Sequence, residues 1–482
     1  MLFRGVIVRA GGCITIAALL VGCRSSRPEP RFQIADNSPP PRSGATVEHT
    51  AHVQQASHSE DSQFVAAQDR ALDPFAGESE LDMSRLVDEV LMRNPSLQAM
   101  VWAWRAAAAR YPQAVSLDDP MFGFMVGPSA INHPSGSDGY MVDASQKIPW
   151  HGKRYWRGQN ALAGATAARA DLDEARLRII ATTKAAWADY YVVERLQELN
   201  RENAKIMQAF RDAARVKYET NLVTQEDVLQ ADLEIAEVQR RSLELQRMER
   251  VAVARINTLL HQSPEYPLPP PPATSVAHDE AAPSVDYLRQ IAVQRRPELA
   301  AQAARIRAER ATLVLAQREY YPDLEVVARY DGFWEEPDLR PQVGMNVNVP
   351  LNYGKRDAAV CEALHRLNQE RAELEQQIDN IQNEVQSAYE QFVESRRTLE
   401  LYHSKILPAA RQNVETARTT YTTATFDFLR LVESQRRYLM LQEKEREAEA
   451  ELVRRAAELE RSIGGPIELA IPTEEIPRNT NP

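Results

Sequence analysis

The chain has 482 residues, a formal net charge of -11 and 26% charged side chains. An acidic chain of this kind is a poor nucleic-acid binder, so no nucleic acid is expected among its partners. It has only 18 glycines, which with so many charges suits long solvated helices, and its three cysteines offer no disulfide framework.

The amino terminus reads "MLFRGVIVRAGGCITIAALLVGC". Arg4 and Arg9 form a basic region, and Ile14 to Val21 form an apolar run too short to span a bilayer. Residues 1–22 therefore read as a signal peptide. The run ends in "LVGC", with a leucine three before and a small residue one before Cys23, which resembles a bacterial lipobox. The resemblance implies cleavage before Cys23 and lipidation of that cysteine. Arg24 follows it, not the aspartate that holds some lipoproteins at the inner membrane. Cys13 leaves with the signal, so Cys361 has no partner for a disulfide within one mature chain. Residues 23–80 hold "RSSRPEPRF", "SPPPRSG" and "HVQQASHSEDSQ", which read as a flexible tether. His49, His52 and His58 are too sparse for a metal-binding tract.

From residue 81 the sequence is a duplication. "RNPSLQA" (93–99) returns as "RRPELAA" (295–301). "RYPQAVSLDDPMF" from Arg110 stands against "YYPDLEVVARY" from Tyr320, and "IPWHGKR" (148–154) against "VPLNYGKR" (349–356). "VKYETNLVTQEDVLQADLE" from Val216 matches "TTYTTATFDFLRLVESQRR" from Thr419. Repeat 1 spans 81–276 and closes in a proline-rich linker; repeat 2 spans 277–465; a tail covers 466–482.

Each repeat opens with helical sequence rich in alanine and arginine, in which Pro95 and Pro297 start a second helix. Strands are expected at about 119–128, 139–148, 322–331 and 341–350. Alternation is cleanest in the last, with Val343, Met345, Val347 and Val349 against Gln342, Gly344, Asn346 and Asn348. Tyr140, Val142, Ala144 and Ile148 share a face interrupted by Gln146, and Leu324, Val326, Ala328 and Tyr330 share another. Phe122, Phe124 and Val126 give a weaker pattern. Length and one apolar face fit transmembrane barrel strands, and Tyr111, Trp150, Tyr320, Tyr321 and Tyr353 cluster where an interfacial girdle would sit. Long helices follow at 153–220 and 355–422, each roughly 100 Å long, with return helices at 222–262 and 426–463. Heptads such as Leu172, Ile179, Ala186, Val193 and Leu367, Leu374, Ile381, Ala388 predict antiparallel coiled coils. Pro408 should kink the second long helix.

The two junctions, Pro149, Trp150, Gly152, Lys153, Arg154 and Pro350, Gly354, Lys355, Arg356, mark where a strand becomes a helix. Proline ends the strand, glycine turns the chain, and the basic pair faces lipid phosphates or the lumen. Neither copy has the spacing of a phosphate-binding loop. The fold class is mainly α with a transmembrane β-barrel. Four strands cannot close a barrel, and open edges are not tolerated in lipid, so the chain must oligomerise if the strands are in the membrane.

This plan resembles the TolC family of trimeric outer-membrane efflux ducts over residues 81 to about 465. "QKIPWHGKR" and "DDPM" look most like the branch paired with resistance-nodulation-division pumps for heavy metals. The resemblance implies a homotrimer with a twelve-stranded barrel and a twelve-helix periplasmic tunnel. It implies docking with a periplasmic adaptor protein and an inner-membrane pump. The family's periplasmic tips carry Tyr-x-x-Gly; here Tyr218 and Asn221, and Tyr421 and Ala424, fill those slots. Asn221 tolerates the left-handed conformation of a tight turn, whereas alanine does so poorly. The family's gate positions fall on Tyr421, Asp227 and Phe426, the last replacing an arginine, and its two acidic rings fall on Arg430 and Glu433.

No nucleophile elbow, metal-protease helix or phosphate loop points to an enzyme, and no cofactor or metal is expected. Cys361 and His365 share a helical face but have no further ligand. A second reading is a lipid-anchored periplasmic coiled-coil scaffold without a pore.

Overall fold

The computed structural model describes residues 74–75, 77–127, 139–273, 283–334, 336–423 and 428–466. The chain divides into two compact units, Met1–Ala71 and Leu72–Pro482, and every described residue belongs to the second. Cys23, the first hairpin loop at 128–138 and the tail from 467 onward lie outside the described residues.

Repeat 1 runs α1 (Met83–Arg93), α2 (Pro95–Ala108), α3 (Arg110–Val115), β1 (Met121–Val126), β2 (Tyr140–Ile148), α4 (Lys153–Glu219) and α5 (Gln225–Leu259). Repeat 2 runs α6 (Val285–Arg295), α7 (Pro297–Arg318), β3 (Asp323–Asp331), β4 (Pro341–Asn348), α8 (Tyr353–Leu401), α9 (Leu407–Thr423) and α10 (Phe428–Ile463). Pro95 and Pro297 both open a helix, where a missing N–H costs nothing. The residue before each proline ties its repeat together. Asn94 donates through Nδ2 to the Leu259 carbonyl at 3.1 Å, and Arg296 donates to the Arg461 and Ser462 carbonyls at 3.3 and 3.2 Å. Both satisfy carbonyls at the end of the return helix, which have no partner within it.

The helical core is built from heptad positions. Leu172, Ile179, Ala186 and Val193 of α4 are buried with Leu245 and Ala252 of α5. Ile381, Val385, Ala388, Phe392 and Leu399 of α8 are buried with Leu452 and Leu459 of α10. The second long helix is interrupted by a π turn at Tyr402–Ile406, directly before α9. Pro408 is the physical cause. It lacks an N–H and its ring crowds the carbonyl four residues back, and a widened turn relieves both.

The two long helices sit in different surroundings. α4 packs on α2, α3 and α5 of its own repeat and also on α7 and α10 of the other. α8 packs on α6, α7 and α10 of its own repeat and, among the described residues, has no comparable partner in repeat 1. Much of α8 is correspondingly exposed.

The strands form one antiparallel sheet in the order β1-β2-β3-β4. Phe122 stands opposite Ala144, Ala144 opposite Ala328, and Ala328 opposite Val343. Phe124, Val142 and Tyr330 form the next row, and Val326 stands opposite Met345. Most apolar residues of the four strands therefore share one face, on which Phe122 is 79% and Val343 84% exposed, while Met121, Met125, Met141 and Val327 lie on the other. The other face carries Asp143, Lys147, Glu325, Arg329, Gln342 and Asn346. Among the described residues no helix is long and apolar enough to cross a membrane.

Two expectations are corrected. Matching the Tyr-Pro landmarks set Pro112 against Pro322, but Pro112 lies in the first turn of α3 while Pro322 precedes β3. The ladder gives the true correspondence. Ser145 and Asn346 lie equally far before Pro149 and Pro350; Met121 is opposite the first and Glu325 opposite the second. Asp119 therefore corresponds to Asp323. The second correction concerns the junction glycines. Gly152 has φ +85, and a Cβ there would meet Arg318 Nη1 at 2.7 Å. Gly354 lies inside the first turn of α8, with open space around it and no positive φ. The second junction has one more residue between proline and lysine, and Asn352 caps the helix by accepting from the Lys355 N–H at 3.2 Å. Only the first junction needs its glycine to turn the chain.

Gly152→Ala is therefore expected to cost about 1–2 kcal/mol. Gly354→Ala should stay within about 0.5 kcal/mol of the parent. Denaturation of the purified protein in detergent micelles measures both.

Candidate functional site: the strand–helix junctions and the helical tip

The first junction is a closed network. Lys153 is 1% exposed. Its ammonium lies 2.9 Å from Asp323 Oδ1 and 3.4 Å from Glu319 Oε2, and donates to the Tyr321 carbonyl at 3.3 Å. The Trp150 N–H donates to the same Asp323 oxygen at 2.9 Å, and the Trp150 ring stacks on Tyr321 at 5.6 Å. Pro149 is buried beside them. Lys153 thus faces neither lipid phosphate nor a lumen, because a carboxylate on the next strand pair takes its charge. This corrects the expected role of the basic pair.

Arginine has a different task. Arg154 Nε donates to the Val115 carbonyl at 2.7 Å, and Arg356 Nε donates to the Glu319 carbonyl at 2.7 Å. Each closes the helix that precedes the strands of its own repeat, supplying a donor to an orphan carbonyl. Lysine instead reaches across to the other repeat. Lys355 is exposed, and among the described residues its ammonium makes no hydrogen bond or ion pair. Pro350 is buried, and Tyr353 stacks on Tyr320 at 6.4 Å.

The tip joins α4 to α5. Asn221 adopts φ +54, and the Leu222 N–H donates to the Lys217 carbonyl at 2.8 Å, closing the helix end. Tyr218 is half exposed. Tyr421 is buried against Phe428, Leu431 and Ala231. Lys217 donates to the Tyr421 carbonyl at 2.6 Å, and its ammonium lies 3.7 Å from the Tyr421 ring centre. Burial, and then the Asp227 charge, push the Tyr421 hydroxyl up to about 12. Burial lowers Lys217, with Asp227 opposing it. The structure therefore brings Tyr421 and Asp227 together and adds Lys217. The sequence reading missed Lys217, although its place one before Tyr218, in the last turn of α4, was a signal. Arg430 and Glu433 are exposed on α10. Ala424 and Phe426 lie outside the described residues.

His403, Glu445 and Glu449 present ligand atoms within 4.8 Å of one another at the π turn. His403 Nε2 lies 2.8 Å from Glu445, and Tyr191 donates to Glu449 at 3.1 Å. Arg446 lies 2.9 Å from Glu449 and 3.6 Å from Glu445, so a resident cation already balances the carboxylates. Leu431, Tyr438, Leu452 and Leu459 recur at heptad spacing along α10 with Glu445 in the place of an apolar residue, and this network explains its burial. Cys361 and His365 are both exposed.

A model of the outer membrane efflux protein family matches residues 86–261 and 288–465. The fold is similar to the outer-membrane channel OprN, with TM-score 0.66 and 20% identity over 82% of this chain and 96% of that one. It is similar to the Campylobacter jejuni CmeC outer membrane channel, with TM-score 0.66 and 15% identity over 80% and 85%. It is also similar to the open state of the Neisseria gonorrhoeae MtrE channel, with TM-score 0.65 and 16% identity over 80% and 89%. No curated protein matches the sequence.

Replacing Lys153 by Met would strand the Asp323 carboxylate, whose side chain is 14% exposed. The expected loss is about 3–5 kcal/mol, largely recovered when Asp323→Asn is added. A thermal melt of the two variants in detergent reads the difference.

Proposed function

The chain belongs to the outer membrane efflux protein family, and from that membership we propose how it conducts. It is an outer-membrane efflux channel working passively in a tripartite system. Three copies close their strands into one barrel and their helices into a periplasmic tunnel. The exposed apolar face of the sheet carries this reading, because Phe122, Phe124, Val343 and Met345 would otherwise stand in water. The polar opposite face suits a water-filled lumen. A pore-free scaffold leaves that apolar face and both sheet edges without a partner. Cys23 supplies a lipid anchor in addition to the barrel.

The tips at Asn221 and Ala424 point into the periplasm and meet the adaptor protein, with an inner-membrane pump of the resistance-nodulation-division type behind it. Around the entrance, three copies of Asp227, Tyr421, Phe426, Arg430 and Glu433 form the gate. Arg430 and Glu433 are three apart on one helix, so their rings compensate each other and hold the entrance closed in place of the family's arginine.

Met345→Arg places a charge on the lipid face and should cost about 2–4 kcal/mol per chain near the midplane. Asn346→Arg faces the lumen and should be tolerated. Trimer yield in membranes compares them, and equal effects would reverse the assignment of the faces. Glu433→Gln and Arg430→Gln should each raise single-channel conductance in planar bilayers; unchanged conductance and selectivity in both would make these residues an ordinary solvated helix face.

A further inference from the structure

We propose that Lys355 of one copy and Asp119 of the next form the ion pair that Lys153 and Asp323 form within a chain, and that this pair fixes the strand register between copies. The inference rests on the oligomeric reading above and names the residues of its seam.

The internal duplication supplies the geometry. Two independent observations place Asp119 in repeat 1 where Asp323 stands in repeat 2. The first is the ladder, in which Met121 and Glu325 hold equivalent positions. The second is the arginine contact, Arg154 on Val115 and Arg356 on Glu319. The interval from Val115 to Glu319, from Met121 to Glu325 and from Asp119 to Asp323 is the same. Lys355 likewise stands where Lys153 does, one residue before the arginine that closes its repeat.

Within a chain the lysine of repeat 1 finds the aspartate of repeat 2. The reverse pairing is not made among the described residues. Asp119 precedes β1 and Lys355 follows β4, and these strands are opposite edges of the sheet with β2 and β3 between them. Both side chains are exposed, and neither makes an ion pair among the described residues. Leu351 holds the place of Trp150 and is 75% exposed. The helices show the same half-filled pattern, since α4 packs on α7 and α10 while α8 has no counterpart of that contact. A second copy of this chain supplies all of these partners at once, joining its β1 to β4.

The β2–β3 register, carried over by the same correspondences, sets the seam. Gln146 opposite Val326 and Ala144 opposite Ala328 translate to Val347 of one copy opposite Phe122 of the next, and Met345 opposite Phe124. The apolar face then continues across the seam without a step. A slip of one residue would turn Asn346 toward Phe122 or Phe124 and send every apolar side chain of β4 to the other face.

The experiment uses the full-length protein in bacterial outer membranes, with Cys361→Ser to remove the exposed thiol. Met345→Cys with Phe124→Cys places two thiols directly opposite, and Met345→Cys with Phe122→Cys places them on a diagonal. Oxidation should yield inter-chain disulfides about ten-fold more for the opposite pair, because the diagonal exceeds disulfide reach. Equal yields, or a preference for the diagonal, would overturn the register. Lys355→Asp and Asp119→Lys should each lower the yield of detergent-resistant trimer about ten-fold. The combined charge swap should restore it, and Asp118→Asn should leave it unchanged. Single variants with parental trimer yield, or a swap that recovers nothing, would overturn the ion pair. A parental protein that is monomeric in the membrane would overturn the oligomeric reading itself, which the first lane of the gel shows separately.

Discussion

Backbone groups facing lipid must be paired within the protein, and a four-stranded sheet leaves two edges unpaired. Most of this structure answers that constraint. The sheet turns one apolar face outward, from Phe122 on β1 to Val343 on β4, yet β1 and β4 are open. On the proposed reading, a single copy is an incomplete object in a membrane. The same incompleteness recurs below the sheet, where α8 lacks the second neighbour that α4 has.

The duplication explains why one motif was kept twice with different consequences. Arginine does the same work in both copies, since Arg154 and Arg356 each satisfy a carbonyl at the end of their own repeat's helix. Lys153 reaches onward to the strand pair of repeat 2. For Lys153 that pair is in the same chain, so its charge is buried and matched by Asp323. Lys355 meets no carboxylate among the described residues, and its charge stays in solvent. One such junction is closed within the chain, by Lys153 and Asp323.

Much of the fold was legible because the informative patterns are local. Period-two alternation gave the strand faces, heptads gave the buried sides of α4 and α8, and proline before an apolar run gave the helix starts of α2 and α7. What escaped depended on contacts between distant residues. The Tyr-Pro landmarks misaligned Pro112 because proline is tolerated both in a helix's first turn and before a strand. Gly354 resembled Gly152 in sequence, but one inserted residue and the Asn352 cap removed the need for a left-handed turn. Lys153 looked like a solvent-facing base because its partner lies far away in the chain. At the tip, Asn221 was readable from its own backbone tolerance, whereas the place of Lys217 in the last turn of α4 marks a helix end but does not name Tyr421, a partner in the other repeat.

The central claim is that one face of this sheet meets lipid and the other meets water. Nitroxide labels placed singly at residues 343 to 348 of β4, in the protein in lipid vesicles, test it most directly. The account predicts a two-residue alternation, with 343, 345 and 347 accessible to oxygen dissolved in the bilayer and 344, 346 and 348 accessible to a water-soluble relaxing agent. Uniform accessibility to the water-soluble agent along all six positions would contradict it.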